Sequence, residues 1–167
     1  GRGCGGILAP DAERAHVFGD AGEVHLVEGA QRAAAVGLGA AISDNCDSGL
    51  TAQVLVYGDE DDEEATGDGN FSPDAKDLAL GTLRLRTERK GNADGRVYLI
   101  VVQATDSSGN TGFHCATVVV PHSKSPASIA AVNAQAAAAR DYCLAHDGTP
   151  PPGYFVIGDG PIVGPKQ

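Results

Sequence analysis

Apolar residues along this chain recur at two periods, and the change from one to the other divides the sequence. From Glu23 the period is two. Val24 and Leu26, then Val36, Leu38, Ala40 and Ile42, alternate with small or polar residues, as half-buried strands do. Gln53 to Tyr57 predicts another strand. Leu83 and Leu85 alternate with Arg84 and Arg86, which predicts a strand with one wet face. Val97 to Val102 is continuously apolar and largely β-branched, as a central strand covered on both faces should be. Phe113 to Val120 is the last strong strand and stops at Pro121. Between these two, Asp106-Ser107-Ser108-Gly109-Asn110 has the composition of a turn, so they form an antiparallel hairpin. Several short strands with turn signals and no helix between them predict a β-sandwich over residues 23–121. Residues 1–22, rich in Gly and Ala and weakly periodic, read as an irregular lead-in.

After Pro121 the period becomes helical. Ser125 can cap a helix, Pro126 suits its first turn, and Ala127 to Arg140 is strongly helix-forming. Ile129, Val132, Ala136, Ala139 and Cys143 form one narrow stripe. Such an Ala-rich stripe buries little area, so the helix, within 122–148, must dock on the sandwich or on a neighbour. Gly148 and Pro150-Pro151-Pro152 end it. Residues 149–167 are then a Pro-rich spacer, a short strand at Tyr154, Phe155, Val156 and Ile157, and Gly/Pro punctuation. A spacer of this kind can hold that strand away from its own sandwich, as an interface that completes the sheet edge of another chain and builds a filament. Folding back on its own sheet is the competing expectation.

Composition narrows the partners. The chain has 167 residues, enough to bury its own core. Its net charge of −10 disfavours nucleic acid and anionic lipid. Aromatics are 5% of residues and Trp is absent, which disfavours a base-stacking platform. No apolar run is long enough to cross a membrane. There is no Met and no basic-plus-apolar start, so the chain reads as a processed or excised piece. Cys4, Cys46, Cys115 and Cys143 are widely spaced, with no C-x-x-C pair. Their even number suits two disulfides in an oxidising compartment.

Ser43-Asp44-Asn45-Cys46-Asp47, the strand Val97 to Ala104, and Ala104-Thr105-Asp106-Ser107-Ser108-Gly109-Asn110 followed by Cys115 form a set. Together they resemble the hyalin-repeat (HYR) family of extracellular immunoglobulin-like modules, over roughly residues 23 to 121. The resemblance implies an antiparallel immunoglobulin-like β-sandwich; with the C-terminal helix and extended tail read above from the pattern, the chain is expected to be mainly β. The resemblance also implies adhesion or display without catalysis, and a Cys46–Cys115 bond. Cys46 ends one strand and Cys115 lies in another, and closing that long loop stabilises by about 4 kcal/mol. That pairing leaves Cys4 to Cys143, which would tie the lead-in to the helix. The long acidic insertion and the segments after Pro121 depart from a minimal repeat.

Asp59-Glu60-Asp61-Asp62-Glu63-Glu64 is a run of six acids, whose mutual repulsion predicts a solvated loop. Beyond it, Asp68, Asn70, Ser72 and Asp74 present oxygen at alternating positions, as the first half of a calcium loop does. They predict a weak calcium site that lacks the EF-hand Gly and bidentate Glu. Asn70-Phe71-Ser72 is also a glycosylation sequon, disfavoured by Pro73. Asp106 and Asn110 read as turn chemistry, with a calcium site shared by Asp106 and Asp44 as the sharper alternative.

Gly1-Arg2-Gly3-Cys4-Gly5-Gly6 matches a dinucleotide fingerprint without the strand and helix that it needs. The five histidines have no ligand spacing. No nucleophile elbow, zinc helix motif or P-loop is present, and a solvated acidic loop cannot raise a carboxylate pKa as a hydrolase needs, so an enzyme is not expected. The expectation is an extracellular structural or adhesive module of a cell wall, matrix or surface filament. It would associate with itself or with other surface proteins. A carbohydrate- or ligand-binding accessory module of a secreted enzyme is the alternative.

Overall fold

The computed structural model describes residues 34–44, 46–62 and 72–158, with the backbone of 16–19 and 24–25. The strands run in the order β1 (His16–Gly19), β2 (Val24–His25), β3 (Ala34–Ala35), β4 (Ala40–Ser43) and β5 (Gln53–Gly58). They continue with β6 (Ala75–Lys76), β7 (Arg84–Leu85), β8 (Gly95–Thr105) and β9 (Thr111–Pro121). A helix, α1 (Pro126–Ala145), precedes the last strand, β10 (Phe155–Val156).

β8 and β9 organise everything else. They pair antiparallel over their full lengths, from Gly95 opposite Pro121 to Thr105 opposite Thr111. β5 flanks β8 and β10 flanks β5, both antiparallel, while β2 adds to β9 in parallel. β3, β7 and β6 form a second, antiparallel sheet, and β1 pairs with β4. The described residues are mainly β, in largely antiparallel sheets with one C-terminal helix, an arrangement compatible with a β-sandwich.

Period two decides which face each residue covers. Tyr98, Ile100, Val102 and Ala104 on β8, with Ala116, Val118 and Val120 on β9, bury one face against Leu38, Leu83, Leu85 and Ala75. The residues between them face the helix. Val97 and Val119 meet Val132 and Ala136, and Leu99, Val101 and Cys115 meet Cys143. β8 is therefore covered on both faces, as its unbroken apolar run requires.

The helix forms where its sequence predicts. The Ser125 side chain accepts the Ser128 N–H, Pro126 opens the first turn, and the buried residues are Val132, Ala136, Ala139 and Cys143. Small side chains let it lie close to the sheet. At Gly95, with φ +131, a Cβ would stand 2.9 Å from the Val120 carbonyl oxygen and 3.0 Å from Val132 Cγ2.

Three expectations are corrected here. The lead-in is not irregular throughout, because His16–Gly19 finds a partner in Ala40–Ser43; a weak local pattern becomes a strand when a neighbour supplies its hydrogen bonds. The strand around β7 keeps its expected wet face at Arg84, which is exposed, but not at Arg86, which is buried. The tail completes its own sheet. Phe155 lies opposite Gly58 and Val156 opposite Tyr57, and Ile157 is 1% exposed within the core, its N–H donating to the Val56 carbonyl at 2.9 Å. Of the expected interface, Tyr154 packs under the helix and Ile157 is unavailable, while Phe155 and Val156 alone stay exposed. The proline spacer is short enough to turn back on the sheet, where burying Ile157 stabilises by about 2 kcal/mol.

Candidate functional site

The described part of the acidic run, Asp59 to Asp62, expected in solvent, turns inward. Glu60 and Asp62 are buried and Asp59 is half-buried at the end of β5. The reason is Arg96, a cation at the head of the most buried strand and itself 0% exposed. Its Nη1 donates to Asp74 Oδ2 at 2.5 Å and to the Glu88 carbonyl at 3.2 Å, and its Nη2 donates to the Glu60 carbonyl at 3.2 Å. The guanidinium carbon stands 4.6 Å from the centre of the Tyr98 ring, whose hydroxyl donates to the Arg86 carbonyl. Arg86 approaches Asp74 at 3.8 Å and donates from Nε to the Pro73 carbonyl. The Asp74 N–H donates to Asp62, and the Lys90 N–H donates to both Glu60 carboxylate oxygens. A buried charge needs such a set of partners.

Asp59 stands where this network meets the helix layer. Its Oδ1 accepts the Val97 N–H at 2.9 Å, and its own N–H donates to the Val97 carbonyl at 3.2 Å. It lines a groove of about 390 Å³ with Gln135, Ala138, Ala139 and Tyr142 of α1 and Pro151 and Tyr154 of the tail. The four helix residues fall on one flank of α1, at spacings of three and four. Tyr142 is stacked on His146, with centroids 3.8 Å apart, and Gln135 donates to Asp94. The carboxyl of Asp59 is pushed up to about 6, chiefly by burial, with the Val97 N–H and Arg96 opposing. Glu60 is pushed up to about 7, again by burial first, against the Lys90 N–H and Arg96. Burial also raises the Tyr154 hydroxyl, and the nearby Asp59 charge adds to it. The premise that this run cannot shift a carboxylate therefore fails at Asp59 and Glu60.

These shifts carry a sign. The unfolded chain releases the Asp59 proton near its ordinary value, 3.8, and the folded chain holds it to about 6. Stability is accordingly lost as pH rises through that window. Two units correspond to at most about 3 kcal/mol. Asp59→Asn should match the parent near pH 4 and exceed it above pH 6, by about 5 °C in midpoint. Parallel melting curves across the range would contradict the assignment.

Asp68 and Asn70 of the expected calcium set lie outside the described residues. Ser72 and Asp74 are both buried, and Asp74 is engaged by Arg96. Among the described residues no group of three or more His, Cys, Asp or Glu is placed to hold a metal. Asp106 is consumed by its own turn. It accepts the Ser108 and Asn110 N–H groups at 2.9 and 2.8 Å and the Asn110 side-chain amide at 2.8 Å, which hold its carboxyl below the ordinary value. Asp44 likewise accepts the Cys46 and Asp47 N–H groups. Asp47 joins the two motifs by accepting the N–H and hydroxyl of Ser107.

The cysteine pairing is also corrected. Cys115 is bonded to Cys143, with Cα atoms 6.3 Å apart. The Cys46–Cys115 and Cys4–Cys143 bonds are not formed. Cys115 shares its face of β9 with Val119, toward the helix, and the buried stripe of α1 delivers Cys143 to it. Cys46 is itself disulfide-bonded, and Cys4 lies outside the described residues. The residues that sequence reasoning missed are Arg96, Asp59, Gln135 and Tyr142. A lone cation heading an apolar strand is the signal that marks the first. Comparison with protein-family models, with curated proteins and with solved structures finds no match for this chain.

Proposed function

We propose that this chain is an extracellular structural or adhesive module with an immunoglobulin-like sandwich at its centre, working by presenting surface rather than by catalysis. The observation that carries the reading is the Cys115–Cys143 bond, which covalently fastens the helix to the sheet. Disulfides of this kind persist in oxidising compartments and are rare where thiols are kept reduced. The contact between Asp47 and Ser107 lends support, since it brings together the two motifs on which the HYR resemblance rests. The family's cysteine pairing is absent and lends none. Assembly through the tail is not part of this proposal. Fractionating the source cells with a thiol-alkylating reagent present tests it. The chain is expected in the extracellular or surface fraction with Cys115 and Cys143 unmodified, and recovery from cytosol with both alkylated would overturn it. A second reading, a ligand-binding accessory module, is favoured by the groove beside Asp59.

A further inference from the structure

The groove combines three features that point to one ligand chemistry. The first is a single carboxylate. Asp59 Oδ1 is held by the Val97 N–H, while Oδ2 has no hydrogen bond from the described residues. Arg96, whose charge acts on Asp59, is committed to Asp74 and to the carbonyls of Glu60 and Glu88, so it attracts Asp59 without capping it. The second is aromatic. Tyr142 comes from the helix and Tyr154 from the tail, and stacking on His146 fixes the Tyr142 ring. The third is the remaining wall, apolar at Ala138, Ala139 and Pro151, with the Gln135 amide donating to Asp94. A metal ion would find one carboxylate where it needs several oxygens. An anion would meet Asp59 and Asp94 in a chain of net charge −10. An ammonium wrapped in methyl groups suits all three features, because tyrosine faces and a carboxylate attract its charge while the apolar wall accepts its methyls.

We propose that this groove binds a small organic cation of the quaternary ammonium type, its charge set against Asp59 and the rings of Tyr142 and Tyr154. The inference rests on the second reading above, that the groove takes a ligand. Titration of the full chain with choline, followed by amide chemical shifts at constant ionic strength, tests it against the uncharged isostere dimethylbutanol. Choline is expected to saturate the groove and to bind about tenfold more tightly than the isostere. Asp59→Asn keeps the acceptor for Val97 and should lose about the same factor. Choline affinity should fall from pH 7 to pH 5 as Asp59 takes a proton, and stay level in Asp59→Asn. Arg96 and Asp94 act on Asp59 through their charges, Glu60 and Tyr154 feel the Asp59 charge, and His146 stacks on Tyr142. The variant separates their titration from that of Asp59. Should that variant fail to fold, Tyr142→Ala on the helix flank provides the same loss. Equal binding of choline and its isostere would overturn the cation while leaving a ligand groove. Shifts from neither compound would overturn the groove as well.

Discussion

Replacing Arg96 with Met should cost about 3–5 kcal/mol of folding stability, the largest effect expected of any single substitution here. Arg96 and Asp74 are both 0% exposed, and Asp74 receives an Arg96 hydrogen bond. Without the guanidinium, Asp74 becomes a buried anion that has lost its charged hydrogen bond, with Arg86 standing 3.8 Å away. The Glu60 and Glu88 carbonyls lose a donor at the same time. Because Asp74 can relieve this by taking a proton, the Arg96→Met variant should be most stable in acid and weaken steadily toward neutral pH. The double variant Arg96→Met/Asp74→Leu should recover much of the loss, since an apolar pair of similar volume leaves no uncompensated charge. Urea melts of the three chains check this. An Arg96→Met chain within about 1 kcal/mol of the parent would mean that the acidic run is held by something other than Arg96.

The second large effect belongs to the disulfide. Cys115 and Cys143 are 28 residues apart, and opening a loop of that length should cost about 3–4 kcal/mol in the chain-entropy model. The loss falls unevenly. The helix buries mainly Val132, Ala136, Ala139 and Cys143, a narrow stripe for its length, so the covalent link bears much of its attachment. In Cys115→Ala/Cys143→Ala, cleavage by trypsin after Arg140, which is exposed on α1, should outpace cleavage after buried Arg96. Equal resistance of Arg140 in the parent and the variant would show that packing alone holds the helix.

The longest elements were legible because their patterns need no partner to interpret. Val97 to Val102 reads as a doubly covered strand, and Asp106 to Asn110 reads as a turn. Ser125 with the Val132, Ala136, Ala139 and Cys143 stripe reads as a docked helix. What escaped is what a distant residue decides. Six adjacent acids read as repulsion until β8 brings Arg96 to the described part of the run, at the Glu60 carbonyl. Ala34–Ala35 and Ala75–Lys76 become strands because β7 lies between them. The alternation around Arg86 marks two faces without saying that the polar one, open at Arg84, is covered at Arg86. Period two likewise separates Cys115 from Ala116 but cannot say which face meets the helix. Cys143, lying in the very stripe expected to dock, was the local clue to the bond, and the family likeness pointed elsewhere. The groove was hidden for a similar reason, since its walls come from the end of β5, one flank of α1 and the tail beyond three prolines.

Tryptic mapping without reduction tests the central claim, that the helix is pinned to the face of β9 turned away from the inter-sheet core. Cleavage at lysine and arginine places Cys115 in the fragment 97–124, Cys143 in 141–166 and Cys46 in 33–76. The structure predicts a linked species of 97–124 with 141–166 that separates on reduction. A species joining 97–124 to 33–76 would contradict it.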